Sequence, residues 1–185
     1  GFVCVAILTS PEVNIGELTL EQLRQVFTGE VANWKHVGGP DAPIRVTTRA
    51  VPDTGTGVVF QKKILDGAPY APGHKVMRSY GTTASVCSKG FSIGYMPVTS
   101  SYFKKGVDSG SFKVLGVKLT QDAPALIPEK GPVPGTQYPV TIPFYLYWNA
   151  KNPSPCVLNF AEFVEKHHIS MHASPKQINL PVASK

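Results

Sequence analysis

Residues 2–8 (FVCVAIL) are uniformly apolar and partly β-branched, the pattern of a buried strand. From Leu20 the period changes, and Leu20, Leu23, Val26 and Phe27 recur at helical spacing. Thr19 and Gln22 make a capping box at that helix start, and Gly29 supplies its stop. Alternating, β-branched Ile44 to Arg49 predicts a strand, and Val58 to Leu65 an amphipathic helix. Thr82 to Cys87 fits a short helix, while Phe91 to Met96 and Val114 to Leu119 fit strands. Residues 120–139 hold five prolines and predict a surface connection. Thr141 to Trp148 reads as an aromatic strand whose Pro143 confines it to an edge or crossover position. Ser154-Pro155 opens a last helix through His167. Strands and helices alternate, so the class is α/β with a mixed sheet flanked by helices.

The chain has 185 residues, 42% of them hydrophobic and 16% charged, with mean hydropathy near zero at -0.03. That balance excludes intrinsic disorder. No apolar run approaches the roughly 20 residues that span a bilayer. Neither does Phe2 to Leu8 have the flanks of a secretion signal, so any targeting peptide is expected to be absent from this chain. The net charge of +6 attracts anions in general, although on composition alone a charge that serves solubility is the preferred reading. The basic residues are scattered, however, without interleaved aromatics, which argues against nucleic acid. Cys4, Cys87 and Cys156 are too few and too dispersed for a disulfide framework or a zinc site, and all three are expected to be buried thiols.

The segment Arg49-Ala50-Val51-Pro52-Asp53-Thr54-Gly55-Thr56-Gly57 carries the most chemistry. A strand ends in an arginine, a tight loop follows, and Thr-Gly-Thr opens a helix. Helix N-terminal amides offer free donors and a partial positive charge. The hydroxyls of Thr54 and Thr56 add donors, Gly55 permits close backbone approach, and Arg49 can present a planar fork to a tetrahedral anion. The same residues also describe an ordinary helix start, with Thr54 as cap and Arg49 solvated. No Gly-Lys-Ser/Thr follows, so this is not a nucleotide-binding loop. His168 and His172 lack acidic or cysteine neighbours for a metal, and no serine, cysteine or carboxylate pair is set for catalysis. Neither an enzyme nor a cofactor is indicated.

Several segments together resemble the phosphate-binding protein family of bacterial ABC importers. These are LTLEQLRQVFTGEVANWKHVGGPDAPIRV (18–46), the Arg49 and Thr54-Gly55-Thr56 turn, GFSIGYMPV (90–98), and TQYPVTIPFYLYW followed by NPSPCVLNFAEFVEKH. They cover nearly the whole chain in family order. The resemblance implies a lobe of the type II periplasmic-binding-protein fold, with crossover strands near 2–8 and 141–148 and a carboxy-terminal helix at 154–168. It implies binding of inorganic phosphate or a similar oxyanion by Arg49, Thr54, Gly55 and Thr56. The loop after Arg49 is one residue longer than the family spacing, which either shifts Arg49 out of register or leaves Asp53 pointing at the anion.

The resemblance further implies transport, a periplasmic or extracellular setting, and an ABC transporter permease as partner. Family members of two-lobe design grip the ligand from an amino-terminal lobe that has no counterpart here. The chain is therefore expected to be a fragment or a single-lobe relative, completed by that missing lobe or by a second copy. A non-transport interaction or sensor module on the same lobe is the alternative, marked by exposed apolar surface around Phe2 to Leu8 and Phe144 to Trp148.

Overall fold

The computed structural model describes residues 2–129, 132–133, 136–143 and 154–166. Strand β1 (Phe2–Thr9) runs through the middle of an eight-stranded sheet and is buried from Val3 onward. Its neighbours are all antiparallel: β5 (Ser92–Pro97), β6 (Lys113–Lys118), β7 (Pro132–Val133) and β8 (Thr141–Pro143). Partners on both edges explain why the run contains no polar residue before Thr9. The sheet continues outward with β2 (Glu17–Thr19) parallel to β6, and with β3 (Arg45–Arg49) and β4 (Lys75–Met77) beyond β5. The spatial order is β2-β6-β1-β5-β3-β4, a mixed sheet as the alternation of elements implies.

Helix α1 (Leu20–Thr28) starts at the capping box read from the sequence. Thr19 Oγ1 accepts from the Gln22 amide at 3.0 Å, and Gln22 Oε1 accepts from the Thr19 amide at 2.9 Å. Gly29 closes the helix at φ 87°, a conformation that only glycine adopts without strain. Helix α2 (Gly55–Ile64) packs through Phe60, whose ring stacks on Tyr95 of β5 with centroids 3.9 Å apart. Phe27 of α1 meets Phe60 edge-on at 4.8 Å, so three aromatics from three elements fix α2 against the sheet. Trp34 is fully buried and donates its indole N–H to Phe91 O at 2.9 Å.

The two segments expected to be adjacent crossover strands do pair, in the register Phe2↔Pro143, Val3↔Ile142 and Cys4↔Thr141. Residues 144–148 lie outside the described residues, as do 167 and 168 beyond helix α5 (Pro155–Lys166) and both His168 and His172. Helix α3 (Tyr80–Cys87) begins two residues earlier than the sequence pattern placed it, because Ser79 and Thr82 form a second capping box. Helix α4 (Ser101–Asp108) escaped the sequence reading. Its Gly106 lowers helical propensity, yet a Cβ there would lie 1.9 Å from the Phe112 ring.

Three further expectations need correction. The connection at 120–139 is not wholly superficial, since Tyr138 is 3% exposed and donates its hydroxyl to Val5 O at 3.1 Å. Cys4 and Cys87 are buried thiols, but Cys156 in the first turn of α5 is exposed. Val3 to Leu8 are buried by neighbouring strands and the core and Phe2 is half-buried, so the apolar surface expected at Phe2 to Leu8 is largely covered, while Phe144 to Trp148 lie outside the described residues. Among the described residues, exposed apolar side chains lie at sites such as Leu158 and Phe160 of α5.

Candidate anion-binding site

Strands β3 and β4 run parallel, with Thr47, Thr48 and Arg49 opposite Lys75, Val76 and Met77, so both end at one edge of the sheet. A helix follows each strand, which brings the starts of α2 and α3 to that edge. Crevices outside the carboxyl ends of parallel strands are where α/β sheets take their ligands.

Arg49 is the last residue of β3 and is 8% exposed. Its Nη1 donates to Met77 O at 2.8 Å, and its Cζ lies 4.7 Å from the ring centroid of Tyr80, a cation–π contact. Nε is buried without an acceptor. No carboxylate among the described residues pairs with the guanidinium. A buried cation normally has a carboxylate or another strong acceptor, and an unmet buried donor costs about 1–3 kcal/mol. Arg49 is thus held ready by a carbonyl and a ring, with charge and donors still uncompensated.

The Thr-Gly-Thr turn divides into three roles. Thr54 is the N-cap of α2: its Oγ1 accepts from the Gly57 amide at 3.1 Å and donates to Ala50 O at 2.8 Å. Its proton is therefore spent inside the loop, and Thr54 offers an anion no hydroxyl donor in this conformation. Gly55, the first helical residue, is exposed, and a Cβ there would meet nothing within 4 Å. The amides of Gly55 and Thr56 find no backbone acceptor among the described residues, as the first turn of a helix requires. Thr56 is buried, and its Oγ1 lies 2.7 Å from Tyr80 Oη.

Tyr80 therefore touches both Arg49 and Thr56 and joins the two parts of the site. Asp53 is exposed and makes no hydrogen bond or ion pair with a described residue. The structure groups Arg49, Thr56 and the Gly55 amide around one edge, assigns Thr54 to the loop, and leaves Asp53 on the surface.

Sequence reasoning missed Tyr80, although the Ser79-x-x-Thr82 pattern that starts its helix is visible in the chain. It included Gly57 in the segment but gave it no role, and a Cβ there would come within 2.8 Å of Ala50 O and 3.1 Å of Arg49 O. That close approach of helix to strand end is what the second glycine of the motif permits.

Comparison with known proteins gives these features a context. The model of the PBP superfamily domain matches residues 1–166. The phosphate-binding protein PstS of Borreliella burgdorferi is 29% identical over 167 residues, covering 85% of this chain and 56% of that protein. PstS of Bacillus subtilis is 33% identical over 93 residues, covering 50% of this chain and 30% of that protein. Among solved structures, an ABC-type phosphate transport receptor from Vibrio cholerae superposes with a TM-score of 0.66 at 22% identity. It covers 89% of this chain, which in turn covers 64% of it. The chain thus spans only part of the length of each of these relatives, about half of the Borreliella protein. The match over 166 consecutive residues, on a mixed sheet with the same architecture as the receptor, places this chain in the PBP (periplasmic-binding-protein) superfamily.

Proposed function

We propose that residues 1–185 form a single phosphate-binding lobe of an ABC importer's substrate-binding protein. One observation carries this reading: Arg49 is 8% exposed with a buried Nε that has no acceptor, it has no carboxylate partner among the described residues, and Tyr80 ties it to Thr56 in the first turn of α2. An oxyanion would supply the missing negative charge and accept from Arg49, Thr56 and the Gly55 and Thr56 amides together. Support also comes from the relatives, which are themselves phosphate-binding proteins. Binding fits a site whose described groups gather as hydrogen-bond donors around one buried arginine.

Strands β1 and β8 act as the crossovers of the lobe, and helix α5 follows them. The setting is periplasmic or extracellular; among the described residues no helix is long and apolar enough to cross a membrane. The partners are a permease and a further lobe or second copy that encloses the anion from the other side. Held from one side, an anion keeps water on the other, so each hydrogen bond to it contributes little net.

Isothermal titration with inorganic phosphate, of the wild-type chain and of Arg49→Ala, tests the reading. Saturable binding that the substitution removes is expected. Equal heats from both proteins would overturn it.

A further inference from the structure

Two tyrosines outside the anion site connect its two parts. Tyr95 of β5 is 1% exposed, and its hydroxyl accepts the backbone N–H of Arg49 at 3.1 Å. The Tyr70 hydroxyl, on the loop between α2 and β4, lies 3.0 Å from Tyr95 Oη. Tyr70 also reaches Gly57 O in the first turn of α2, at 3.5 Å. Carbonyl oxygen can only accept, and Tyr95 already accepts from Arg49. The one arrangement that gives both phenolic protons an acceptor runs Arg49 N–H to Tyr95, Tyr95 O–H to Tyr70, and Tyr70 O–H to Gly57 O. Burial raises both phenols above their ordinary value, so the chain of donors stays intact across the physiological range.

We infer that Tyr95 and Tyr70 are positioning residues of the anion site, fixing the strand end that presents Arg49 against the helix turn that presents the Gly55 and Thr56 amides. The inference rests on the phosphate-binding reading. The two ends of the link lie on different elements, β3 and α2, joined along the chain by the loop at 50–54. A donor set aimed at one anion loses strength when its halves drift apart, because fewer of its hydrogen bonds can form at once. The ring of Tyr95 has a separate duty, stacking on Phe60 at 3.9 Å, and Tyr70 leans on His74 with centroids 5.3 Å apart. Removal of the hydroxyl alone therefore tests the link without emptying the core. The loop at 66–74 gains a purpose beyond connection. It is anchored to α1 by the Ala71 amide on Phe27 O at 2.7 Å, and it delivers Tyr70 to the site from there.

The experiment compares wild type, Tyr95→Phe and Tyr70→Phe by phosphate titration and by amide NMR. Tyr95→Phe should weaken phosphate binding about tenfold, and Tyr70→Phe by a smaller factor, the sizes expected for one hydrogen bond lost close to or further from Arg49. In Tyr95→Phe the Arg49 amide proton should move upfield and exchange faster even without phosphate, a change that lower global stability alone would not confine to that residue. Wild-type affinity within twofold in both variants, with the wild type binding phosphate, would overturn the positioning role and leave the phosphate reading in place. A wild-type chain that gives no phosphate response would instead remove both.

Discussion

The hydroxyls of Thr56 and Tyr80 meet at 2.7 Å, so a candidate ligand on α2 is tied to the first residue of α3. The same tyrosine ring lies beside the Arg49 guanidinium. Substitution of Tyr80 should thus affect two anion contacts at once. Tyr80→Phe keeps the ring and frees Thr56, and should weaken phosphate binding by about fivefold or less. Tyr80→Ala also removes the cation–π contact and should weaken it further. Titration of both variants checks the order, and equal affinity in Tyr80→Ala and wild type would detach Tyr80 from the site.

Glycines 55 and 57 should respond in opposite ways. Gly57→Ala places a Cβ 2.7 Å from Thr54 Oγ1 and 2.8 Å from Ala50 O, and should cost about 1–3 kcal/mol of folding stability. Gly55→Ala meets open space, should leave stability within about 0.5 kcal/mol, and should weaken phosphate binding because the methyl group enters the anion's volume. Urea unfolding and phosphate titration of the pair separate the two effects. A Gly57→Ala chain as stable as wild type would contradict the close approach of α2 to β3.

The thiols should differ in reactivity. Cys156 is exposed and should react with a thiol reagent in the native chain, whereas buried Cys4 and Cys87 should react only after unfolding. Burial pushes the Cys87 thiol up from 9.0 to about 11, with a smaller opposing effect from the Thr47 hydroxyl. A raised thiol keeps its proton in the folded state while the unfolded chain has lost its own. Stability should therefore be unaffected below about pH 9 and fall between pH 9 and 11, at up to about 1.4 kcal/mol per pH unit for this group. The phenols of Tyr70, Tyr95 and Tyr138, also raised by burial, extend the loss above pH 10. Urea midpoints at pH 8, 9.5 and 10.5 check the direction, and a rising midpoint would contradict it.

Much of this arrangement is legible in the chain because its signals are local. Thr19 with Gln22, the run before Thr9, and the Arg49 to Gly57 segment each declare an element within a few residues. The rest depends on contacts between distant positions. Tyr80 reaches Arg49 only because β4 lies parallel to β3, a pairing that no local pattern encodes. Tyr95 belongs to the Ile-Gly-Tyr strand read from sequence, but its hydroxyl partners, Arg49 and Tyr70, are 46 and 25 residues away. The Thr54 hydroxyl illustrates the converse: its residue type suits an anion, and geometry commits its proton to Ala50 O. Helix α4 was hidden by Gly106, which packing against Phe112 requires and helical propensity disfavours.

The claim that Arg49 and the first turn of α2 hold an oxyanion is tested most directly by amide NMR during phosphate titration of the wild-type chain and of Arg49→Ala. The Gly55 and Thr56 amides should shift saturably in the wild type, with a dissociation constant weaker than about 1 μM for a site closed on one side only. The same shifts should be absent in Arg49→Ala. Saturable shifts confined to other residues, or shifts at Gly55 and Thr56 that survive the loss of Arg49, would contradict the account.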